Sequence, residues 1–449
     1  MTEILWRILF ALTVLLPLPF GTFRPWAWSV AGVVVALLLL WWSVLVLLGR
    51  AQIFWRHSLW PPVLLFAGVV TWASVQTYWP TPGALAHPLW QMADQFLAAD
   101  LTPRISAAPE AGEVALLRLL TGAGCFWLAL QLGADRERAW TGIAWLGWAS
   151  GTYALYGLLN LVAGNKWLLW YPRWAYMQDV TGTLVNRNSY ATYAGLGLLA
   201  MVLLFIREFR YRLRTVDPGL SWLGRRVDAL GGRSGVLLAA SIIIAMALLQ
   251  SHSRMGLFAS FCGFGALLVL LRLRGIMRGW VASGIVAAAA AFVFLTSGHG
   301  TLNRLLQADG SDRPALIATI EQAIQSMPLI GSGFGSFEQV FLLYRGISLP
   351  NFVEYQMAHS TYLELAMELG IPAALALVAC MAWLALTCLA GVFRRSRDEE
   401  VPAIAFAAAL LVGLHSLLDF SMQIPAVGYT FAIMLGIGVA QAFPTIRVK

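Results

Sequence analysis

The chain has 449 residues, of which 59% are hydrophobic and 12% charged, with 20 Trp and 23 Phe. A water-facing domain carries about 25% charged residues, so this composition cannot cover a solvated surface. It also excludes intrinsic disorder, a collagen-like fibre and a disulfide-stapled secreted scaffold. The formal net charge of +8 raises nucleic acid as a partner, a possibility that the distribution of the charges removes.

A helix needs about 20 apolar residues to cross a bilayer core of roughly 30 Å. In chain order the stretches that meet this pattern lie near 4–20, 26–48, 58–79, 113–132, 138–163, 188–206, 235–250, 255–272, 280–297, 364–392, 402–418 and 424–443. The fold class is therefore all-α, a polytopic membrane protein of about 12 transmembrane helices forming one domain over 1–449. The pair 235–250 and 255–272 is split only by Ser251-His252-Ser253-Arg254, so it reads as one broken hairpin or as two shorter spans. The first run passes through Pro17 and Pro19 into Gly21 with no small-residue cleavage site, which reads as a span and not a leader. Cys125, Cys262, Cys380 and Cys388 all sit inside apolar runs, without metal spacing, and read as small buried hydrophobes.

With the N-terminus in the cytoplasm, two thirds of the 30 Lys and Arg side chains fall on the cytoplasmic side, while Asp and Glu concentrate outside. The Lys/Arg bias sets this orientation, with both termini cytoplasmic. The basic stretch Arg207 to Arg233 then faces anionic lipid headgroups, which accounts for the positive charge without nucleic acid. Three long segments remain outside, 80–112, 164–187 and 298–363. The last is a large external loop carrying short helices and ending in the helical run from His359 to Gly370. No Walker A motif or strand-rich region marks the cytoplasmic side, so any chemistry belongs on the external face.

Ionisable groups near apolar spans are costly, and each is a functional hypothesis. Arg254 sits at the external end of the seventh and eighth spans; its plain alternative is an arginine snorkelling to headgroups. Arg313, in Gly310-Ser-Asp-Arg-Pro, has the alternative of a solvated loop charge. His359 opens the helix Ser360-Thr-Tyr-Leu-Glu-Leu and suits a proton acceptor, although a histidine at a helix start is often structural. Glu364 and Glu368 lie four apart on one face of that helix, able to orient the imidazole or to cap the span. Arg118, inside the fourth span, needs a partner or a lipid phosphate, and Asp419 is a further external-end carboxylate. Gly331-Ser-Gly-Phe-Gly-Ser-Phe is no dinucleotide loop, because no strand precedes it; it reads as a tight turn bringing backbone N–H groups near a partner. Two arginines and one histidine thus share one face. Arginine forks suit phosphate oxygens, a histidine suits deprotonation of an incoming hydroxyl, and no Asp/His metal cluster is visible in the sequence. The combination points to glycosyl transfer from a lipid-diphosphate donor. A transporter is the rival of another class, but it predicts charged or broken-helix sites near the bilayer midplane, and a structural scaffold leaves the polar residues without a purpose.

At these residues the sequence resembles the O-antigen ligase family, a superfamily shared with O-antigen polymerases and protein O-oligosaccharyltransferases. The stretches that carry the resemblance are Pro19-Phe-Gly-Thr-Phe-Arg-Pro-Trp, Val185-Asn-Arg-Asn-Ser-Tyr-Ala-Thr-Tyr, Ser251-His-Ser-Arg-Met-Gly, Pro328-Leu-Ile-Gly-Ser-Gly-Phe-Gly-Ser-Phe, Ala358-His-Ser-Thr-Tyr-Leu-Glu-Leu and His415-Ser-Leu-Leu-Asp-Phe. Each is short, and specificity lies in the ordered set. The resemblance implies a GT-C-like inner-membrane glycosyltransferase with a large periplasmic loop. It would move glycan from undecaprenyl diphosphate to a lipid A–core sugar, with no cofactor and no metal. By the motif match Arg254 and Arg313 take the diphosphate-binding roles and His359 the base role. Asn186, Arg187, Asn188, Ser253, Gly333 and Asp419 line the site. Ser360 departs from the Asn that commonly follows the histidine, and Ser189 from a frequent His after Asn-Arg-Asn; both bear on substrate preference. A polymerase or a protein-directed transferase differs only in the acceptor, which the external segments 80–112 and 298–358 would select.

Overall fold

The computed structural model describes residues 1–81, 83–98, 101–277, 313–346, 349 and 355–444, and for Arg313 the backbone alone. The expected span at 280–297 therefore lies outside the described residues, as do parts of the large loop. What is described is almost wholly helical; the only sheet among the described residues is a two-residue hairpin, β1 (Trp167–Leu168) against β2 (Tyr171–Pro172).

Among the described residues, seven helices are long and apolar enough to cross a membrane. They are α2 (Pro25–Leu47), α3 (Trp60–Tyr78, with the preceding turn), α5 (Pro109–Leu132), α7 (Arg187–Thr215), α9 (Gly232–Leu249), α10 (Arg254–Leu273) and α14 (Ile371–Arg394). The remaining expected spans fall short for separate reasons. α1 (Thr2–Leu15) ends before Pro17 and Pro19, while α15 (Glu400–His415) and α16 (Pro425–Ala440) have only 16 residues each, about 24 Å of rise. α6 (Arg136–Val162) is long enough, but Gly, Ser, Thr, Tyr and Asn interrupt its apolar run. The pair around Ser251–Arg254 is two separate helices, α9 and α10.

Helix position follows apolar pattern. In α16 every residue but Ala432 is buried, as expected of a helix hydrophobic all round, and it packs along α5 and α15 at the centre. α2 lies at the periphery, and its exposed Trp26, Val30, Val33, Leu37, Leu40 and Val44 recur every three or four residues, which lines them up on one face toward lipid.

The run expected as one helix over 364–392 is two, α13 (Thr361–Leu369) and α14, broken at Gly370 with φ 79°. The cause is a close approach: a Cβ at Gly370 would overlap the Leu329 carbonyl, and Ile371 N–H donates to the Pro328 carbonyl at 2.8 Å. Outside the bundle, α11 (Arg313–Ser326), α12 (Phe337–Tyr344) and α13 enclose a second small core of Leu316, Ile320, Phe337, Phe341, Ala358 and Met367. At the far end of the bundle Arg136 meets Asp398 at 2.5 Å, Arg210 meets Glu400 at 3.5 Å, and the Arg207 guanidinium lies 3.6 Å over the Trp140 ring.

Candidate active site

Three helix N-termini meet at the opposite end from those arginines, those of α7, α10 and α13. The first four N–H groups of any helix lack an intrahelical acceptor, and here side chains supply one at each start. Asn186 Oδ1 accepts from the N–H groups of Asn188 (2.7 Å) and Ser189 (3.2 Å). Ser253 Oγ accepts from Gly256 N–H at 3.2 Å, and Ser360 Oγ from Leu363 N–H at 3.4 Å. These are ordinary N-cap residues doing ordinary N-cap chemistry.

The caps are also tied to one another. Ser253 Oγ donates to Asn188 Oδ1 at 2.8 Å, and Asn188 Nδ2 donates to Asp419 Oδ2 at 2.6 Å. Asp419 is 1% exposed. Its other carboxylate oxygen accepts from Phe420 N–H at 2.8 Å, and its carbonyl accepts from Thr361 Oγ1 at 3.0 Å. Phe420 in turn holds the ring of His359 edge-on, with centroids 5.0 Å apart. A continuous path therefore runs from Ser253 through Asn188, Asp419 and Phe420 to His359. In this path Asn188, Ser253 and Asp419 position the helix starts, and their polar atoms are engaged with protein groups.

His359 takes a left-handed backbone, φ 52°, immediately before α13. The preceding N–H, that of Ala358, donates to Glu364 Oε2 at 2.7 Å, and Gln423 Nε2 donates to Glu364 Oε1 at 2.5 Å. Burial, and then the neighbouring Glu368, push the Glu364 carboxyl well above its ordinary range. The Arg118 guanidinium donates to the carbonyl of Gln423, so the partner that Arg118 requires is a backbone oxygen. Glu364 and Arg118 thus hold the segment behind the histidine from two sides.

Two cations stand at the helix starts. Arg187 Nη1 meets Asp179 Oδ2 at 3.0 Å and lies over the Tyr176 ring. Arg254, the first residue of α10, is exposed and makes no hydrogen bond or ion pair among the described residues. A cation there opposes the helix dipole, so helix stability does not explain it. Three N-termini with two arginines make an end of the bundle that favours anions. Arg313 begins α11, and its side chain lies outside the description.

Gly333 sits in a packed turn. Its N–H donates to the Glu368 carbonyl at 2.9 Å, and Ser106 occupies the space where a Cβ would stand. The glycine turn is clasped by Gln76 of α3, whose amide donates to the carbonyls of Ile330 (2.6 Å) and Glu368 (2.9 Å) and accepts from Phe334 N–H (3.2 Å). Glu368 accepts from Phe337 N–H at 3.0 Å, and burial raises its carboxyl to about 7. This turn packs α13 against α3.

A cleft of about 540 Å³ shares no lining residue with this network. Trp90, Arg104, Glu110 and Gln339 line it, with Trp90 Nε1 donating to the Ser106 carbonyl at 3.1 Å. Two partners went unrecognised in the sequence: Asp179, and His252, whose Nδ1 lies 2.7 Å from Asp179 Oδ1. They are 73 positions apart, and no local pattern connects them.

Residues 239–378 match a family model described as O-antigen ligase. The match starts within α9 and ends within α14. It takes in His252, Ser253, Arg254, Arg313, the glycine turn and His359, and leaves Asp179, Asn186–Asn188 and Asp419 outside. No curated protein matches the chain.

Proposed function

We propose that this chain, which matches the O-antigen ligase family model over residues 239–378, transfers a glycan from undecaprenyl diphosphate to a hydroxyl of a lipid A–core acceptor at the periplasmic face of the inner membrane. The observation that carries this reading is the path of hydrogen bonds from the α10 start, with exposed Arg254, through Asn188 and Asp419 to Phe420, closed by the edge-on contact of the Phe420 ring with His359 at the α13 start. An anion-favouring end and a histidine on one rigid network suit transfer from a diphosphate to a hydroxyl. The clustered arginines at the opposite end of the bundle support the orientation, under the positive-inside rule.

In this mechanism Arg254 and Arg313 grip the donor diphosphate and offset the charge that grows on it as the bond to the anomeric carbon breaks. His359 takes the proton of the acceptor hydroxyl, whose oxygen forms the new bond from the opposite side, and undecaprenyl diphosphate leaves. A single displacement inverts the anomeric centre. Glu364 and Phe420 hold the histidine, while Asn188 and Asp419 hold α7, α10 and α13 in register. A polymerase or a protein-directed transferase would use the same steps with another acceptor.

Complementation tests the reading. In a Gram-negative strain lacking its own ligase, the wild-type gene should restore ladder-forming lipopolysaccharide and His359→Ala should not. Equal ladders from both would remove His359 from the mechanism; rough lipopolysaccharide from a well-expressed wild type would move the acceptor to a polymer or a protein.

A further inference from the structure

The mechanism above leaves one titratable cluster unused. His252 lies in the turn between α9 and α10, two residues before Arg254, in a left-handed backbone of φ 50°. Its Nδ1 is 2.7 Å from Asp179 Oδ1, while the ring is 54% exposed. Asp179 is itself 10% exposed in its side chain and meets Arg187 through its other oxygen. The loop that carries it is pinned: Arg173 Nη2 and Asn165 Nδ2 both donate to the Asp179 carbonyl, at 2.9 and 3.1 Å, and Val180 N–H donates to the Gln250 carbonyl at 2.9 Å. A buried, anchored carboxylate therefore holds an exposed imidazole two residues before the exposed Arg254 at the α10 start. Among the described residues, Nε2 of that imidazole has no partner.

We propose that His252, oriented by Asp179, is a third arm of the donor-diphosphate site, donating from Nε2 to a phosphate oxygen. This rests on the reading of the chain as a polyprenyl-diphosphate glycosyltransferase. The chemistry sets a condition. With Nδ1 donating to Asp179, a neutral imidazole presents only a lone pair at Nε2, which repels phosphate; the imidazolium donates from both nitrogens. The ring contacts Asp179; around that carboxylate stand Arg187, which shares it and lies over Tyr176, and Arg173 on its carbonyl, while Arg254 follows two residues on at the α10 start. Where the free ring is neutral, binding the diphosphate must therefore draw one proton from solvent. No covalent bond changes in this step; Asp179 is a positioning residue and His252 a ligand.

The test uses the full chain in nanodiscs, titrated with farnesyl diphosphate by calorimetry in two buffers of different ionisation enthalpy, against empty nanodiscs. The expected result is uptake approaching one proton per ligand above neutral pH, with affinity falling as pH rises. His252→Gln can keep the hydrogen bond to Asp179, and it should lose the proton uptake and bind about tenfold to hundredfold more weakly at acidic pH, the range of a charge-assisted hydrogen bond. His252→Lys keeps a cation across that range and should bind with little pH dependence. Binding by the wild type that takes up no proton, and is unchanged in His252→Gln, overturns the inference and leaves the transferase reading standing. A wild type that does not bind farnesyl diphosphate at any pH overturns both.

Discussion

Replacing Arg254 by alanine separates ligand binding from folding, because the two effects have opposite signs. Among the described residues the side chain makes no hydrogen bond or ion pair, and it stands exposed at the first position of α10. Removing it costs no hydrogen bond or ion pair among the described residues. A cation at a helix start is unfavourable by about 0.3–1 kcal/mol, so the thermal midpoint of Arg254→Ala is expected to stay level or rise by a degree or two. Donor binding should move the other way. A hydrogen bond to a charged group is worth about 1.5–3 kcal/mol, which is roughly 10- to 150-fold in the transfer rate at limiting donor. Arg254→Lys should recover only part of this, since a point charge replaces a bidentate fork. Both quantities can be read on one purified preparation, the midpoint by a thermal shift and the rate with a lipid-linked oligosaccharide. Unchanged transfer in Arg254→Ala would refute the reasoning. So would a midpoint lower by five degrees or more, which would reveal a structural arginine.

Three further outcomes follow from the same geometry. His359→Ala should lose about 10²–10⁴-fold in single-turnover transfer while donor binding survives, and a variant that lost both together would point to a misplaced α13 start. Glu368, raised by burial to about 7 from 4.5, holds its proton more tightly folded than unfolded. Its stabilising contribution is therefore complete below about pH 4.5 and is lost as pH rises through 7, about 3 kcal/mol in all. Glu368→Gln should accordingly gain stability relative to wild type between pH 5 and 8, and parallel stability curves would contradict the assignment. Gly333→Ala meets Ser106 where φ is 106°, so it should reduce the yield of folded protein; normal yield with weakened donor binding would instead return Gly333 to the ligand.

The local features of this molecule were readable in its sequence, and the joined ones were not. Asn186, Ser253 and Ser360 stand in the short motifs of the sequence, and their capping of α7, α10 and α13 depends only on a few adjacent residues. Gly370, followed by Pro372, is a local stop signal, yet the apolar run on both sides masks it; the break follows from the approach of Leu329, which no neighbour in sequence announces. Twelve apolar runs were visible, but an apolar run does not say how much of it winds into helix, and α15 and α16 stop three residues before the ends of the runs at 402–418 and 424–443. Asp419 carries the same lesson at the site. The motif match places it in the lining of the site, and the fold adds what the sequence does not announce, that its carboxylate is engaged by Asn188 and the Phe420 N–H. The glycine turn looked like a backbone cradle, and it is a packing joint against α3. His252 and Asp179 lie far apart in the chain, so only the fold brings them into contact.

The central claim is that His359 moves the proton of an incoming hydroxyl while the arginine-bearing helix starts hold a lipid diphosphate. The most direct measurement is a reconstituted reaction with undecaprenyl-diphosphate-linked glycan and a lipid A–core acceptor, following undecaprenyl diphosphate release and glycolipid formation together. The account predicts one released for each glycolipid made by the wild type, and neither above background with His359→Ala. Transfer by the variant at the wild-type rate would contradict it.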